Sequence, residues 1–200
     1  MKINTTKQKV IDAASVLFFQ KGFHGTSVRD IAGRASVNVS LISYYFKSKQ
    51  GLLEYAVTNY YEMYLKLLEE ELESNHALGD VEKLKKIIHT IISYKTDHFQ
   101  LTAFIQRELS LDSTFVREMT VTYLAKENHM LSKLFFSILP KKNYQQKSYL
   151  FMQLKGMIMS PYMLKHEWNH QLLDRQAYQS FIHQYTKTID QWLQFIKQAT

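Results

Sequence analysis

Two short helical patterns separated by a three-residue polar break constrain the fold of this chain more than any other stretch. Residues 26–27 are of types that commonly begin helices, and the apolar residues after them recur at helical spacing as far as Ala35. Residues 36–38 have the length of a turn between two helices that cross at a steep angle. Ile42 and Phe46, four positions apart and predicted to face inward, then indicate a second helix over about residues 39–46. The pattern as a whole predicts a helix-turn-helix over about residues 27–46.

The surface that this arrangement would expose suits DNA. In a helix-turn-helix the N-terminal residues of the second helix face base edges in the major groove, and the first helix lies across the backbone. Amides and hydroxyls can bond bases and phosphates, tyrosine and lysine can bind phosphate, and the N–H groups that begin the first helix form a phosphate seat. We therefore predict that DNA contacts Thr26, Ser27, Arg29, Asn38, Ser40, Ser43, Tyr44, Tyr45, Lys47 and Lys49, with residues 38–44 selecting bases.

A plain packing unit is the alternative interpretation of this stretch, with Tyr45 and Phe46 both in the core. The charge distribution favours DNA binding instead. Residues 1–50 carry eight basic and two acidic side chains, a net charge of +6, whereas the rest of the chain carries only +1. A basic excess that coincides with the motif is the electrostatic pattern of a phosphate-binding module.

The composition is that of a globular protein, with 46% hydrophobic and 22% charged residues. Because no apolar run is long enough for a membrane span and the first residues lack the apolar core of a signal peptide, we expect a cytoplasmic protein that associates with the nucleoid. The absence of cysteine excludes disulfides and thiolate metal sites. Neither a glycine-rich phosphate loop nor a serine-nucleophile motif is present, so we expect no enzymatic activity and no cofactor.

Apolar residues at helical spacing continue along the chain and predict an all-α fold. We expect Asp112 and Ser113 to cap the helix predicted over residues 112–139, and Pro140 to end it. We expect Pro161 to bend the helix predicted over residues 144–167. Besides the motif, the predicted helices cover residues 6–20, 50–74, 81–99, 101–111, 112–139 with its capping residues, 144–167 and 174–199.

Two sets of residues in these later helices admit more than one interpretation. Tyr60, Tyr61 and Tyr64 lie at helical spacing, which is more typical of a core than of a ligand pocket. Four charged residues within otherwise apolar stretches could form a partner surface, the lining of a regulatory pocket or a set of interhelical salt bridges: Arg107, Glu108, Arg117 and Glu118.

Two segments carry a family resemblance, FFQKGFHGTSVRDIA at residues 18–32 and VNVSLISYYFKSKQGLLEYAV at residues 37–57. Both resemble the DNA-binding domain of the TetR family of bacterial transcriptional regulators. The family often has tyrosine at the position of Ser43, so a smaller hydroxyl here replaces an aromatic phosphate contact. The resemblance implies a helix-turn-helix DNA-binding domain over residues 1–49 and a helical regulatory and dimerisation domain over residues 50–200.

The last two predicted helices carry more apolar surface than one layer can bury, which indicates a partner. Gly156, in the first of them, would let another helix approach closely. In the TetR family the last two long helices pack against the same pair of a second subunit, so the resemblance implies a homodimer. Two-fold symmetry would place the recognition helices about 34–36 Å apart, or a multiple of one DNA turn, on a near-palindromic operator.

Two modes of regulation follow from the resemblance. In a typical family member a small-molecule effector shifts the fourth helix, changes the separation of the recognition helices and releases DNA. The SYYFK sequence at residues 43–47 is similar to that of family members that direct cell division in endospore-forming bacteria. That similarity implies a cell-division protein as partner, with DNA serving to position the regulator.

Residues His166 to His170 spell H-E-x-x-H, a pattern in which two histidines bind zinc and the glutamate polarises water. Here the pattern falls where a helix is predicted to end, and no convincing third ligand follows, although His183 could assist. We therefore expect a chance match and no metal site, with a zinc hydrolase as the remote alternative.

Overall fold

The computed structural model describes residues 5–110, 114–139, 141–163 and 175–198, and every regular element within these ranges is an α-helix. The predicted all-α class is confirmed. The helices in chain order are α1 (Thr5–Lys21), α2 (Val28–Ala35), α3 (Val39–Phe46), α4 (Lys49–Ser74), α5 (Asp80–Asp97), α6 (Phe99–Ser110), α7 (Thr114–Ser137), α8 (Tyr144–Met163) and α9 (Arg175–Gln198). None of the helices in these ranges is long and apolar enough to cross a membrane.

The observed helix ends lie within two residues of the predicted ones wherever the structure describes them. Gly22 ends α1 as expected, because its φ of 76° is a left-handed conformation that glycine adopts without strain and its N–H donates to the Phe18 carbonyl. Pro161 lies inside α8 and is buried. The predicted caps at residues 112–113, the predicted stop at Pro140 and the predicted end of α8 at residue 167 fall outside the described residues.

The chain divides into two compact units, one formed by residues 1–62 and 100–120 and the other by residues 63–99 and 121–200. The first unit therefore extends beyond the predicted domain boundary at residue 49 and includes α6. The packing gives the reason. The ring of Phe104 on α6 stacks on that of Phe18 on α1 with 5.4 Å between centroids, and both side chains are fully buried. The Thr102 hydroxyl likewise lies 2.9 Å from that of Tyr60 on α4.

The second unit is built around α5, whose buried face includes Ile87, Ile88, Ile91 and Ile92 at helical spacing. The hydroxyl of Tyr162 on α8 donates to the Ile92 carbonyl at 3.1 Å, so a polar bond fixes α8 against α5 inside an apolar core.

Tyr60, Tyr61 and Tyr64 of α4 are all buried, which favours the core interpretation of this set. Tyr60 and Tyr61 belong to the first unit, whereas Tyr64 belongs to the second and packs its ring 5.2 Å from that of Tyr94.

A buried ion pair lies inside the second unit. The ammonium group of Lys95 on α5 is 3.6 Å from a carboxylate oxygen of Glu127 on α7, and 4.8 Å from the centroid of the Tyr64 ring. Both charged side chains are buried. Because removing two ions from water costs about as much as their attraction returns, the pair fixes how the helices pair more than it adds to stability.

We expect Lys95→Met to destabilise the protein by about 3–5 kcal/mol, because it leaves the Glu127 carboxylate buried without its counter-ion. The double variant Lys95→Met/Glu127→Leu should recover most of that loss, since no buried charge then remains. Urea denaturation followed by circular dichroism measures both. Equal destabilisation by the single and double variants would contradict this account of the pair.

Candidate DNA-binding surface

The first helix of the motif begins with a reciprocal pair of hydrogen bonds. Ser27 Oγ accepts from the Asp30 backbone N–H at 3.1 Å, and Asp30 Oδ2 accepts from the Ser27 N–H at 3.0 Å. This capping box fixes where α2 starts. Hydrogen bonding of the Asp30 carboxylate to Ser27, above all to its backbone N–H, lowers the pKa of Asp30 below its usual value of 3.8, and the nearby charge of Lys21 assists.

The turn between the two motif helices is held by backbone and side-chain bonds. Ser36 adopts a left-handed conformation with φ of 53°, and the Val37 N–H donates to the Ala32 carbonyl at 3.0 Å. Asn38 caps α3, because its side-chain oxygen accepts from the Ser40 N–H at 3.0 Å. The amide NH₂ group of Asn38 is then the part of the side chain that can donate to DNA.

The second helix presents a polar row to solvent and an apolar pair to the interior. Ile42 and Phe46 are buried, as predicted for its inner face. Ser40, Ser43 and Tyr44 are all exposed, and Tyr44 is 79% exposed. The row therefore has the steric access that base-edge contacts in a major groove require.

Tyr45 occupies an intermediate position between surface and core. It is half-buried and packs edge-on against both Tyr44 and Phe46, with centroids 5.2 and 6.2 Å apart. The ammonium group of Lys7 on α1 lies 5.7 Å from its ring centroid. The ring of Tyr45 therefore supports α3 while part of the side chain stays accessible, and a phosphate contact by Tyr45 stays a prediction.

Two residues of the predicted DNA-contacting set turn inward. Thr26 is only 1% exposed, and its hydroxyl lies 2.8 Å from the Gly22 carbonyl and 3.2 Å from the Leu17 carbonyl. The Lys49 ammonium donates to the Phe23 and Thr26 carbonyls, both at 2.7 Å, and lies 4.4 Å from the Phe23 ring centroid. Both side chains hold the α1–α2 turn from within, which corrects their assignment as direct DNA contacts.

The exposed cations of the first unit include Lys21, Arg29, Arg34 and Lys47. Arg34 and Lys21 were absent from the predicted contact set, although the charge count included them. Val39 lies within the predicted base-selecting range of residues 38–44 without having been named as a contact, and it is 38% exposed at the first position of α3. An apolar side chain there can contact a thymine methyl group, and nothing in the sequence marks an isolated valine for that role.

The four charged residues of α6 and α7 do not form one surface. Arg107 points to the C-terminus of α1, where its Nη1 and Nη2 atoms donate to the Phe19 and Phe18 carbonyls at 3.0 and 2.9 Å. A carboxylate oxygen of Glu108 lies 3.7 Å from the Arg107 Nε atom, and that side chain is largely covered. Arg117 and Glu118, at the start of α7, are exposed.

Large apolar side chains stand exposed on the last two helices. Tyr144 and Tyr149 on α8 are exposed, Met152 on the same helix is 68% exposed, and Phe195 on α9 is also 68% exposed. A side chain at Gly156 would meet no other atom within 4 Å, so this face of α8 is open in the single chain.

The H-E-x-x-H segment at residues 166–170 lies outside the described residues. Within the described ranges, no group of three or more His, Asp or Glu side chains is placed to hold a metal ion. His183, the residue that could have assisted such a site, is exposed on α9.

Comparison with known proteins places these features in a family. Residues 10–56 match the family described as bacterial regulatory proteins, tetR family. YttP of Bacillus subtilis (strain 168), a probable HTH-type transcriptional regulator, is 39% identical over 204 residues that span 98% of this chain and 95% of YttP. The chain belongs to the TetR family. It is therefore a transcriptional regulator rather than an enzyme, with an N-terminal helix-turn-helix domain and a C-terminal helical domain.

Two further transcriptional regulators show narrower or more distant similarity. IcaR of Staphylococcus aureus (strain Newman), the negative transcriptional regulator of the biofilm operon icaADBC, is 39% identical over 51 residues, 26% of this chain and 27% of IcaR. FadR of Bacillus subtilis, solved in complex with stearoyl-CoA, superposes with a TM-score of 0.64 at 20% identity over 90% of this chain and 95% of FadR. The FadR similarity establishes the fold alone.

We expect Ser27→Ala to raise the pKa of Asp30 only part of the way back towards 3.8, because alanine removes the side-chain hydrogen bond of residue 27 but keeps the backbone N–H that lowers this pKa most. A carboxyl group with a depressed folded-state pKa stabilises the fold above its unfolded-state pKa, and that contribution is lost as the pH falls through the folded-state pKa. The pH dependence of unfolding below about pH 4 should therefore be weaker in the variant. NMR titration of the Asp30 side chain measures the shift, with Ser36→Ala as the control. An unchanged Asp30 pKa in Ser27→Ala would contradict the capping box.

Thr26→Val should destabilise the protein by about 1–2 kcal/mol, because an isosteric methyl group replaces a buried hydroxyl that bonds two carbonyls. DNA affinity of the folded variant should stay within about threefold of the parent, since the Thr26 side chain faces the interior. Denaturant unfolding and fluorescence anisotropy measure the two quantities. Ser40→Ala is the matched hydroxyl control, with an expected stability change below about 0.5 kcal/mol. A normal stability with lost DNA binding in Thr26→Val would restore Thr26 to the contact set.

Proposed function

We propose that this chain is a sequence-specific repressor that binds near-palindromic DNA as a homodimer. The observation that carries the proposal is the exposed polar row of α3, a helix whose first turn is capped by the Asn38 side chain. Exposed cations on neighbouring elements, among them Arg29 and Lys47, supply charge for phosphate. Repression is supported by the similarity to IcaR, a negative transcriptional regulator.

The contacts divide into two kinds. Base edges would be contacted by Asn38, Val39, Ser40, Ser43 and Tyr44, which share the start and outer face of α3. Phosphates would be held by side chains and by the N–H groups at the start of α2, and this second set comprises Ser27, Arg29, Tyr45 and Lys47. Thr26 and Lys49 would act indirectly, by fixing the turn that sets the angle of the motif.

The dimer would form through α8 and α9. Large apolar side chains are exposed on these helices, among them Tyr144, Tyr149, Met152 and Phe195, and Gly156 leaves α8 open to close approach. A two-fold axis through this face pairs each helix with its own copy, as in an isologous interface. Burial of the exposed aromatic and methionine side chains would supply the apolar area that such an interface needs.

We expect Lys47→Gln to weaken binding to all DNA sequences about equally and to reduce the slope of log affinity against log salt concentration by about 1. A phosphate contact does not depend on the base sequence, so the loss is uniform, and it releases counter-ions, so its removal reduces the slope. Anisotropy titrations from 50 to 300 mM salt on operator and random duplexes measure both effects. Lys66→Gln is the matched control, because Lys66 is an exposed lysine on α4 that pairs with Glu70 in the second unit. An unchanged salt slope for Lys47→Gln would remove this residue from the phosphate set.

A small-molecule effector would release the repressor by binding one state of the second unit more tightly than the other. FadR of Bacillus subtilis, with the same fold, was solved with stearoyl-CoA bound, so an acyl-CoA is the first candidate to test.

A second candidate function acts through a protein. The SYYFK sequence resembles that of RefZ, the regulator of the division protein FtsZ in endospore-forming bacteria, and a RefZ-like role would use DNA to position the regulator on the chromosome. The observation that favours it is an exposed patch at the start of α7, where Arg117, Glu118 and Val121 all face solvent and Val121 is 57% exposed. Exposed charges beside an exposed apolar side chain are suited to a protein partner.

A genome-wide map of DNA occupancy tests both candidates in the native cell. Local repression predicts one or a few palindromic sites at promoters, and loss of the protein should raise transcription there. A positional role predicts a set of palindromic sites that do not lie at promoters. In that case Arg117→Ala should abolish the division phenotype while leaving the occupancy map unchanged. The Asn38→Ala/Ser43→Ala variant is the control that should lose the sites. Absence of any specific site in the parent would overturn the proposal.

A further inference from the structure

The first unit contains a half-enclosed cavity that the DNA-binding surface does not use. Its volume is about 260 Å³, and it lies between the α1–α2 turn, the start of α4, α6 and α7. The described residues that determine its shape and chemistry are Phe23, His24, Leu53, Phe104, Glu108 and Val116.

The apolar walls of this cavity are rigid. Leu53, Phe104 and Val116 are all buried core residues, so their positions are fixed by packing on their other sides. Phe104 has the guanidinium carbon of Arg107 5.6 Å from its ring centroid, and Phe23 has the Lys49 ammonium 4.4 Å from its own. Since two aromatic side chains line a preformed apolar space, an aromatic ring is the occupant that these walls favour.

Glu108 provides the one carboxylate among the described lining residues of the cavity. Its contact with the Nε atom of Arg107 is 3.7 Å, longer than a hydrogen bond, so the carboxylate keeps capacity for another donor. The two Nη atoms of Arg107 are bonded to carbonyls at the C-terminus of α1, where the helix end carries partial negative charge that offsets the guanidinium. The cavity therefore attracts a cation.

We propose that this cavity binds a small aromatic amine, with its ring between the side chains of Phe23 and Phe104 and its ammonium group on the Glu108 carboxylate. The volume fits this class, because a cavity of about 150 Å³ holds benzene and the additional space accommodates a chain of two or three atoms. His24 lies exposed at the site, edge-on to the Phe23 ring with 5.5 Å between centroids, and forms part of the mouth. This site is separate from any effector site in the second unit and does not depend on the proposed repressor function.

A ligand bound in the cavity would link α6 to the α1–α2 turn, which leads into the motif. Phe23 and His24 belong to that turn, whereas Phe104 and Glu108 belong to α6. A ligand that contacts all four adds to the bonds that Arg107 already makes between α6 and α1. It would therefore raise the thermal stability of the first unit by mass action.

The test uses the full chain with labelled leucine and valine methyl groups and three probes of similar shape: 2-phenylethylamine, 2-phenylethanol and 3-phenylpropanoate. The amine should produce saturable NMR shifts at the Leu53 and Val116 methyl groups. Its dissociation constant should be at least tenfold lower than that of the alcohol. The anion should not bind. Glu108→Gln should reduce the affinity for the amine to that for the alcohol, whereas Glu118→Gln, an exposed glutamate on α7, should leave the tenfold preference intact.

Three results would overturn the proposal: no saturable shift at Leu53 or Val116, equal binding of amine and alcohol by the parent protein, or an undiminished preference in Glu108→Gln. If Glu108→Gln does not fold, His24→Trp is the variant that tests the site. His24 is exposed, so a larger ring there closes the mouth of the cavity without altering the core. That variant should lose binding of both the amine and the alcohol. Retained binding in folded His24→Trp would place the probes elsewhere and contradict the site.

Discussion

The backbone carbonyl groups around the end of α1 are the constraint on which the first unit depends. A helix end leaves carbonyls without intrahelical partners, and burial makes each of them costly unless a donor arrives. Here the donors come from three places in the chain: Thr26 within the turn, Lys49 at the start of α4 and Arg107 on α6. The motif is thus oriented by hydrogen bonds to backbone, and the residues that orient it are not those that we propose to contact DNA.

This arrangement explains why the first unit is larger than the motif. Three helices of 8 to 17 residues bury little apolar area by themselves. The stacking of Phe104 on Phe18 and the hydrogen bond between Tyr60 and Thr102 add α4 and α6 to the same core. Short α2 and α3 can then remain mostly exposed, because their few buried residues pack on a core to which α4 and α6 also contribute.

Much of the fold could be predicted from the sequence, because helix periodicity and caps are local signals. Residues 26–27, of types that commonly begin helices, marked the start of α2 that the structure has, and Ile42 and Phe46 identified the inner face of α3. The directions of Thr26, Lys49 and Arg107 could not be predicted in this way. Each bonds to a backbone carbonyl, and carbonyls are the same in every residue, so no residue pattern identifies the partner. The place of α6 in the first unit depends on packing between residues 86 positions apart, such as Phe18 and Phe104, which periodicity does not encode.

The exposed row on α3 has an evolutionary consequence. Ser40, Ser43 and Tyr44 contribute little to the core, whereas Ile42 and Phe46 between and beside them are buried. Substitutions in the row are therefore close to neutral for folding, and a duplicated gene could acquire a new operator through a few such changes while its protein stayed folded at every step. The separation of recognition from support makes target choice the most readily altered property of this molecule.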